Sequence, residues 1–156
     1  MEVGNTPLIE ISNKLFGKLE AVNPGGSIKD RHVKYILDNM DLEKGDTIVE
    51  ATSGNTVISL AMMCSERGYK CQIVMPSDMS EERKKMLKFY GARLYEVEAG
   101  NFDEAIKVKN DMCAYDGWFT LNQFDNPLNI ECHLNTTFME ILNDTYFDNV
   151  SAFIAG

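Results

Sequence analysis

Lys29 stands in the run Asn23-Pro24-Gly25-Gly26-Ser27-Ile28-Lys29-Asp30-Arg31. Pro24 fixes one backbone dihedral and the two glycines open conformations closed to other residues, so a tight turn delivers the chain into the next segment. That segment reads as a helix capped by Ser27, with Lys29 in its first turn, where the partial positive charge of the helix end opposes an ammonium. An amine so placed can attack carbonyls and form Schiff bases; an ordinary exposed lysine beside a cap fits the same residues. A second polar cluster, Glu50-Ala51-Thr52-Ser53-Gly54-Asn55-Thr56, falls between an apolar strand pattern and a helix start. Open α/β sheets bind ligands at that place, and free amides beside three small polar side chains form a candidate nest for a carboxylate or phosphate. A well-capped strand-to-helix turn is the alternative.

Other chemistries lack support in the residues. Neither the Walker A pattern nor Gly-x-Gly-x-x-Gly occurs. Cys64, Cys71, Cys113 and Cys132 form no Cys-x-x-Cys pair and no zinc spacing, so no metal site is expected and the thiols read as reduced and mostly buried. Cys132 beside His133 is a poor thiol nucleophile pair, because sequence neighbours point apart on regular elements. His32 reads as structural, and Asp30 and Arg31 as partners in local ion pairs.

The elements that must position these groups follow from length and pattern. A chain of 156 residues suits one domain and buries roughly 70% of its unfolded surface. Its net charge of -9 repels nucleic-acid backbones and anionic membranes, so neither is an expected partner. With no leader pattern and no membrane-length apolar run, a cytoplasmic location is expected, and the sequons at Asn135, Asn143 and Asn149 count as chance. Alternating residues at Thr6 to Ile11 and Gly17 to Val22 predict two short strands, and Ile28, Tyr35, Ile36 and Met40 mark the inner stripe of the Lys29 helix. From Thr47 strands and helices alternate: strands at 47–51, 70–75, 93–97, 118–121 and 150–155, helices at 55–67, 80–89, 102–114 and 129–142. Short apolar strands followed by helices give an α/β fold, an open, mostly parallel sheet with crossover helices. Ser80 reads as a cap, and Arg83, Lys84, Lys85 and Lys88 as a solvated face.

Taken together, Asn23 to Arg31, Glu50 to Thr56, Met75 to Arg83 and Gln123-Phe124-Asp125-Asn126-Pro127, with Gly4-Asn5-Thr6-Pro7-Leu8 at the start, resemble the cysteine synthase family of pyridoxal-phosphate enzymes in order and spacing. The resemblance covers the whole chain, and Glu50-Ala51 looks more like the B type. It implies that Lys29 holds pyridoxal 5'-phosphate as a Schiff base. It also implies that Thr52, Ser53, Asn55, Thr56 and Gln123 grip the carboxylate of a small amino-acid substrate, with Asn55 also touching the cofactor ring oxygen. The implied reaction replaces the leaving group of an activated serine such as O-acetylserine with sulfide to give cysteine; cystathionine synthesis uses the same motifs.

Three departures bear on this. Val57 stands where the family usually has glycine, a branched side chain expected close to the ligand. Thr136-Thr137-Phe138-Met139-Glu140 stands for Thr-Thr-Gly-Pro-Glu. The resemblance stops at Phe153-Ile154-Ala155-Gly156, ahead of the loop that wraps the cofactor phosphate in the family. Loss of that loop would remove hydrogen bonds of about 1.5–3 kcal/mol each and weaken cofactor binding. The implied division is 1–43, with the two-strand segment, as part of an incomplete larger domain; 44–145 as a small α/β domain; and 146–156 as a strand leading to the absent loop. Uncovered sheet edges then imply self-association or a complementary chain. The alternative is a catalytically inactive remnant acting as a binding or interaction module.

Overall fold

The computed structural model describes residues 1–52, 54–145 and 150–155. The candidate Ser53, the segment 146–149 and Gly156 lie outside the described residues. Strands β1 (Leu8–Ser12) and β2 (Leu15–Lys18) form an antiparallel hairpin. A 3-10 turn at Glu20–Val22 takes the place of the expected end of the second strand. Helix α1 spans Lys29–Asp38. Then come β3 (Thr47–Glu50), α2 (Asn55–Arg67), β4 (Lys70–Pro76), α3 (Glu81–Phe89), β5 (Arg93–Val97), α4 (Phe102–Met112) and β6 (Trp118–Phe119). Helices α5 (Pro127–Asn135) and α6 (Thr137–Thr145) follow.

The second sheet is parallel, in the order β5-β4-β3-β6. Central strand β3 is buried at every position, as expected where both faces carry helices. Alternation along the strands divides the core. Ile48, Ile73 and Met75 pack with Val33, Ile36 and Leu37 of α1, Leu60 and Met63 of α2 and Leu87 of α3. Val49 and Val74 face the other way, against Ala105 and Val108 of α4. Gly68 ends α2 in the left-handed conformation (φ 77°), its amide on the Cys64 carbonyl, the usual glycine stop.

Several expectations are corrected. The inner stripe of α1 is Val33, Ile36 and Leu37 with Met40, while the Tyr35 hydroxyl reaches Glu131 on α5 at 2.7 Å. The single helix expected at 129–142 is two, broken at Thr136 (φ -123°, ψ -76°), whose hydroxyl bonds back to the Cys132 carbonyl at 2.7 Å. Such back-bonding by a β-branched residue competes with regular helix continuation. Residues 150–155 form no strand: among the described residues no strand pairs with them, and an extended apolar segment needs a partner edge to become one. Ser80 is the N-cap of α3 without a side-chain cap bond. Lys84 is buried rather than solvated, its ammonium 2.7 Å from both the Ser77 carbonyl and Glu96.

Arg31 sits at the centre of a buried charge cluster instead of a local pair with Asp30. Its side chain is 1% exposed and lies 2.7 Å from both Glu20 and Glu140, with Thr6 Oγ1 at 3.1 Å. Lys18 reaches Glu140 at 2.9 Å, and the Asn5 amide donates to Glu140 at 2.9 Å. The Gly4 amide donates to Asn23 Oδ1, and Asn23 donates to Glu20. Gly4 is left-handed (φ 89°), and a Cβ there would come within 3.0 Å of Arg31 and Glu140. Burial alone would raise the Glu140 carboxyl, but hydrogen bonds from Arg31, the Asn5 amide and Lys18 outweigh it and hold it at about 2.

Candidate active site

Strand order locates the crevice. The chain passes from β3 to β4 to β5 in one direction and then crosses over to place β6 on the far side of β3. The connections leaving β3 and β6 therefore diverge, and that point in an open α/β sheet is the ligand-binding crevice. Thr52 and Thr56 follow β3, and Gln123 follows β6. Thr56 Oγ1 donates to Gln123 Oε1 at 2.7 Å, with both side chains buried. Asn122 adopts a left-handed conformation (φ 47°), tolerated better by asparagine than by most residues, and the turn it makes carries Gln123 inward. The Asn129 side-chain amide holds the Gln123 carbonyl at 3.0 Å, and the Asn126 side-chain amide holds the Leu121 carbonyl at 2.8 Å.

Glu50, the last residue of β3, ties the two sides of the crevice. Its carboxylate accepts from the Ala51 amide at 3.0 Å and from Thr120 Oγ1 at 3.3 Å. Burial raises its carboxyl above the ordinary range, against the opposing pull of the Ala51 amide, Lys109, Thr120 and the Asn122 amide. Glu50 opens the polar cluster at the strand end, but its sequence position gives it no partner across the crevice. A charged residue ending an otherwise apolar strand was the available signal of a buried role.

Helix α2 begins with Gly54 as N-cap and no side-chain cap bond. Thr52 Oγ1 accepts from the Gly54 amide at 3.4 Å. Asn55 is exposed and Thr52 half-buried. The helix end thus presents first-turn amides and the Asn55 side chain outward, a fit for an anionic group. Val57, expected near the ligand, is fully buried in the core, because the residue after Thr56 turns to the helix face that packs on the sheet. Val57→Ala is therefore expected to lower the unfolding free energy by about 2 kcal/mol, as read by urea denaturation.

Lys29 lies at the start of α1 with its side chain exposed, and its amide donates to Ser27 Oγ at 3.2 Å. Among the described residues its ammonium makes no hydrogen bond or ion pair, so the amine is available to a carbonyl ligand. The preceding turn uses its glycines differently. Gly26 takes the left-handed conformation (φ 81°) with open space around it, whereas Gly25 leaves room for the Asp30 carboxylate. Asp30 is fully buried; it accepts from the Gly25 amide at 2.5 Å and, in a short hydrogen bond, from the hydroxyl of Ser59 on α2. That bond brings the Lys29 turn against the helix that opens at Asn55.

His32, also buried, has among the described residues no hydrogen-bond partner on either ring nitrogen. Burial, helped by the nearby charges of Lys29 and His133, pushes it down to about 4, which keeps the imidazole neutral at ordinary pH. Its ring centroid is 6.5 Å from that of His133. Cys132 is buried, and burial pushes its thiol up, opposite to the activation a thiol nucleophile needs.

The fold and the site thus define an α/β protein with a strand-end crevice, an anion-ready helix start and a turn-borne lysine beside it. The chain belongs to the pyridoxal-phosphate dependent enzyme family, whose profile matches residues 1–156. It is 40% identical to a cysteine synthase of Staphylococcus aureus, the match covering 99% of this chain and 54% of that protein. It is 41% identical to a cysteine synthase B of Campylobacter jejuni, with coverage of 99% and 54%. The crystal structure of an O-ureido-L-serine synthase matches with a TM-score of 0.86 and 37% identity, covering 91% of this chain and 48% of that one. The chain spans about half the length of the curated relatives it matches. Among the described residues no helix is long and apolar enough to cross a membrane.

Proposed function

We propose that this chain supplies the lysine and the substrate-carboxylate clamp of a pyridoxal-phosphate enzyme that exchanges the β-substituent of an activated serine. In this reading O-acetylserine and sulfide give cysteine. The observation that carries it is the meeting of Thr56 and Gln123 at 2.7 Å in the switch-point crevice, next to the helix start that Asp30 ties to the Lys29 turn. Thr52, Ser53, Asn55, Thr56 and Gln123 hold the amino-acid carboxylate through hydroxyls, side-chain amides and the free amides of α2. Asn55, exposed at the helix start, would also reach the cofactor ring oxygen. Lys29 would be the residue that holds the cofactor, through its free amine, and the same amine would serve as the base for the α-proton of the substrate. The cofactor, when bound, supplies the electron sink. The protein supplies orientation, so its share of the rate comes from holding the reacting carbon against the lysine.

The same reading treats residues 1–43 as part of a larger domain, 44–145 as the small α/β domain and 146–156 as the connection onward. The exposed Ile11, Phe16, Phe153 and Ile154 support a surface covered by a second copy or a complementary chain. O-ureido-L-serine is the competing product, on the strength of one relative's name.

Adding pyridoxal phosphate to the full chain is expected to yield an absorbance band that borohydride fixes onto the Lys29 peptide, and Lys29→Ala is expected to abolish both. Cysteine formation from O-acetylserine and sulfide, compared with O-ureido-L-serine formation, then separates the two products. A band of equal size in Lys29→Ala would overturn the reading.

A further inference from the structure

A carboxylate taken fully out of water normally requires a cation or several hydrogen bonds. Asp30 is 0% exposed, and among the described residues no cation pairs with it. The adjacent Arg31 is committed to Glu20 and Glu140. The Asp30 oxygens are matched instead to two neutral donors on different parts of the chain. One is the Gly25 amide at 2.5 Å, in the turn that leads to Lys29. The other is the Ser59 hydroxyl, and Ser59 Oγ also lies 3.1 Å from the carbonyl of Asn55, the first residue of α2. A Cβ at position 25 would overlap Asp30 Oδ1, so the turn is shaped around this carboxylate.

We infer that Asp30 is a positioning residue: through Gly25 and Ser59 it locks the Lys29 turn to the start of α2, and so fixes where the lysine amine stands relative to the Thr52 to Thr56 loop. This rests on the function proposed above for Lys29. The physical logic is that of a clamp with two jaws. Lys29 is the immediate neighbour of Asp30, and the Ser59 hydroxyl stands between Asp30 and the carbonyl of the residue that opens the carboxylate loop's helix. A displacement of either jaw moves the amine and the loop relative to each other. Since misplacement by about 1 Å can cost about a hundredfold in rate, a buried carboxylate is an effective place to hold the two together. Charge-assisted hydrogen bonds in a low-dielectric interior hold geometry more firmly than neutral ones.

The test measures how fast pyridoxal phosphate becomes attached to Lys29 in the full chain. Borohydride traps the adduct and peptide mass spectrometry counts it, with thermal unfolding followed in parallel. Ser59→Ala keeps the Asp30 charge and removes one jaw; it is expected to slow attachment about tenfold. Ser59→Thr, which restores a hydroxyl, is expected to recover most of that rate. Asp30→Asn is expected to slow attachment at least as much, and the double variant no more than Asp30→Asn alone, because both changes break one linkage. Should Asp30→Asn fail to fold, the Ser59 pair decides. A Ser59→Ala protein with a lowered melting temperature but wild-type attachment would show a merely structural role and overturn the inference alone. A wild-type chain whose adduct does not depend on Lys29 would overturn both this inference and the proposed function.

Discussion

Arg31→Met lowers the unfolding free energy by about 3–5 kcal/mol, the typical consequence of removing one partner from a buried charge network. The guanidinium holds Glu20 through Nε and Nη2, each at 2.7 Å, and Glu140 through Nη1 at 2.7 Å and Nη2 at 2.8 Å. Methionine fills similar volume but leaves two carboxylates to neutral donors and, among the described residues, to the single cation Lys18. The network also predicts acid sensitivity. Glu140 is held at about 2 in the fold. In Glu20 burial pulls upward, but the bonds from Arg31, Thr6 and Asn23 win, and its carboxyl lies below the ordinary range. The unfolded chain therefore binds more protons than the folded one between the ordinary carboxyl value near 4.5 and about 2. The stabilisation is fully present above that window and is lost as the pH falls through it. Urea midpoints at pH 7, 4 and 3 check both statements. In the wild type the midpoint should fall on acidification, and in Arg31→Met it should be low at pH 7 and change less. A loss at pH 7 below about 1 kcal/mol, the worth of an exposed pair, would show that the cluster is not load-sharing in the way described.

Gly25→Ala is expected to cost about 3 kcal/mol, combining overpacking with loss of a hydrogen bond to a charged group. Its neighbour gives the contrast. Gly26→Ala meets no atom within 4 Å and carries only the left-handed backbone penalty, about 1–2 kcal/mol. The two substitutions are the same chemistry at adjacent positions in one turn. Their difference therefore isolates the close approach of the Asp30 carboxylate, which is within 3.1 Å of the built Cβ through both oxygens and its carboxyl carbon. Denaturation of the two variants side by side measures it. Equal losses, or a greater loss at Gly26, would mean that backbone conformation, not the packed carboxylate, sets the glycine requirement at position 25.

Much of the fold was legible because its signals are local. The α2 range Asn55–Arg67 and the β5 range Arg93–Val97 follow from apolar runs bounded by glycines and small polar residues. The break between α5 and α6 was not legible, since it depends on the Thr136 hydroxyl turning back to Cys132 in a stretch whose helical pattern is continuous. Lys84 shows the same limit. A lysine in a run of basic residues reads as solvated until β5 brings Glu96 within 2.7 Å. Val57 stands where the family resemblance has glycine, and only the packed structure shows its side chain buried in the core with Leu60 and Ile73.

The sequence by itself determined the alternation of strands and helices, the glycine turn before Lys29, the polar loop after β3 and the family resemblance, because each is carried by residue types at short, regular spacing. Only the tertiary structure decided that Thr56 meets Gln123 across the switch point. It also decided that Asp30 reaches Ser59 rather than an ion partner, and that the opening residues Gly4 to Thr6 close a charge cluster with Arg31 and Glu140. Those contacts join residues distant in the chain, and their geometry is set by how the layers pack. Periodicity records which face of an element is buried, but not which charged or polar group on another element it is buried against.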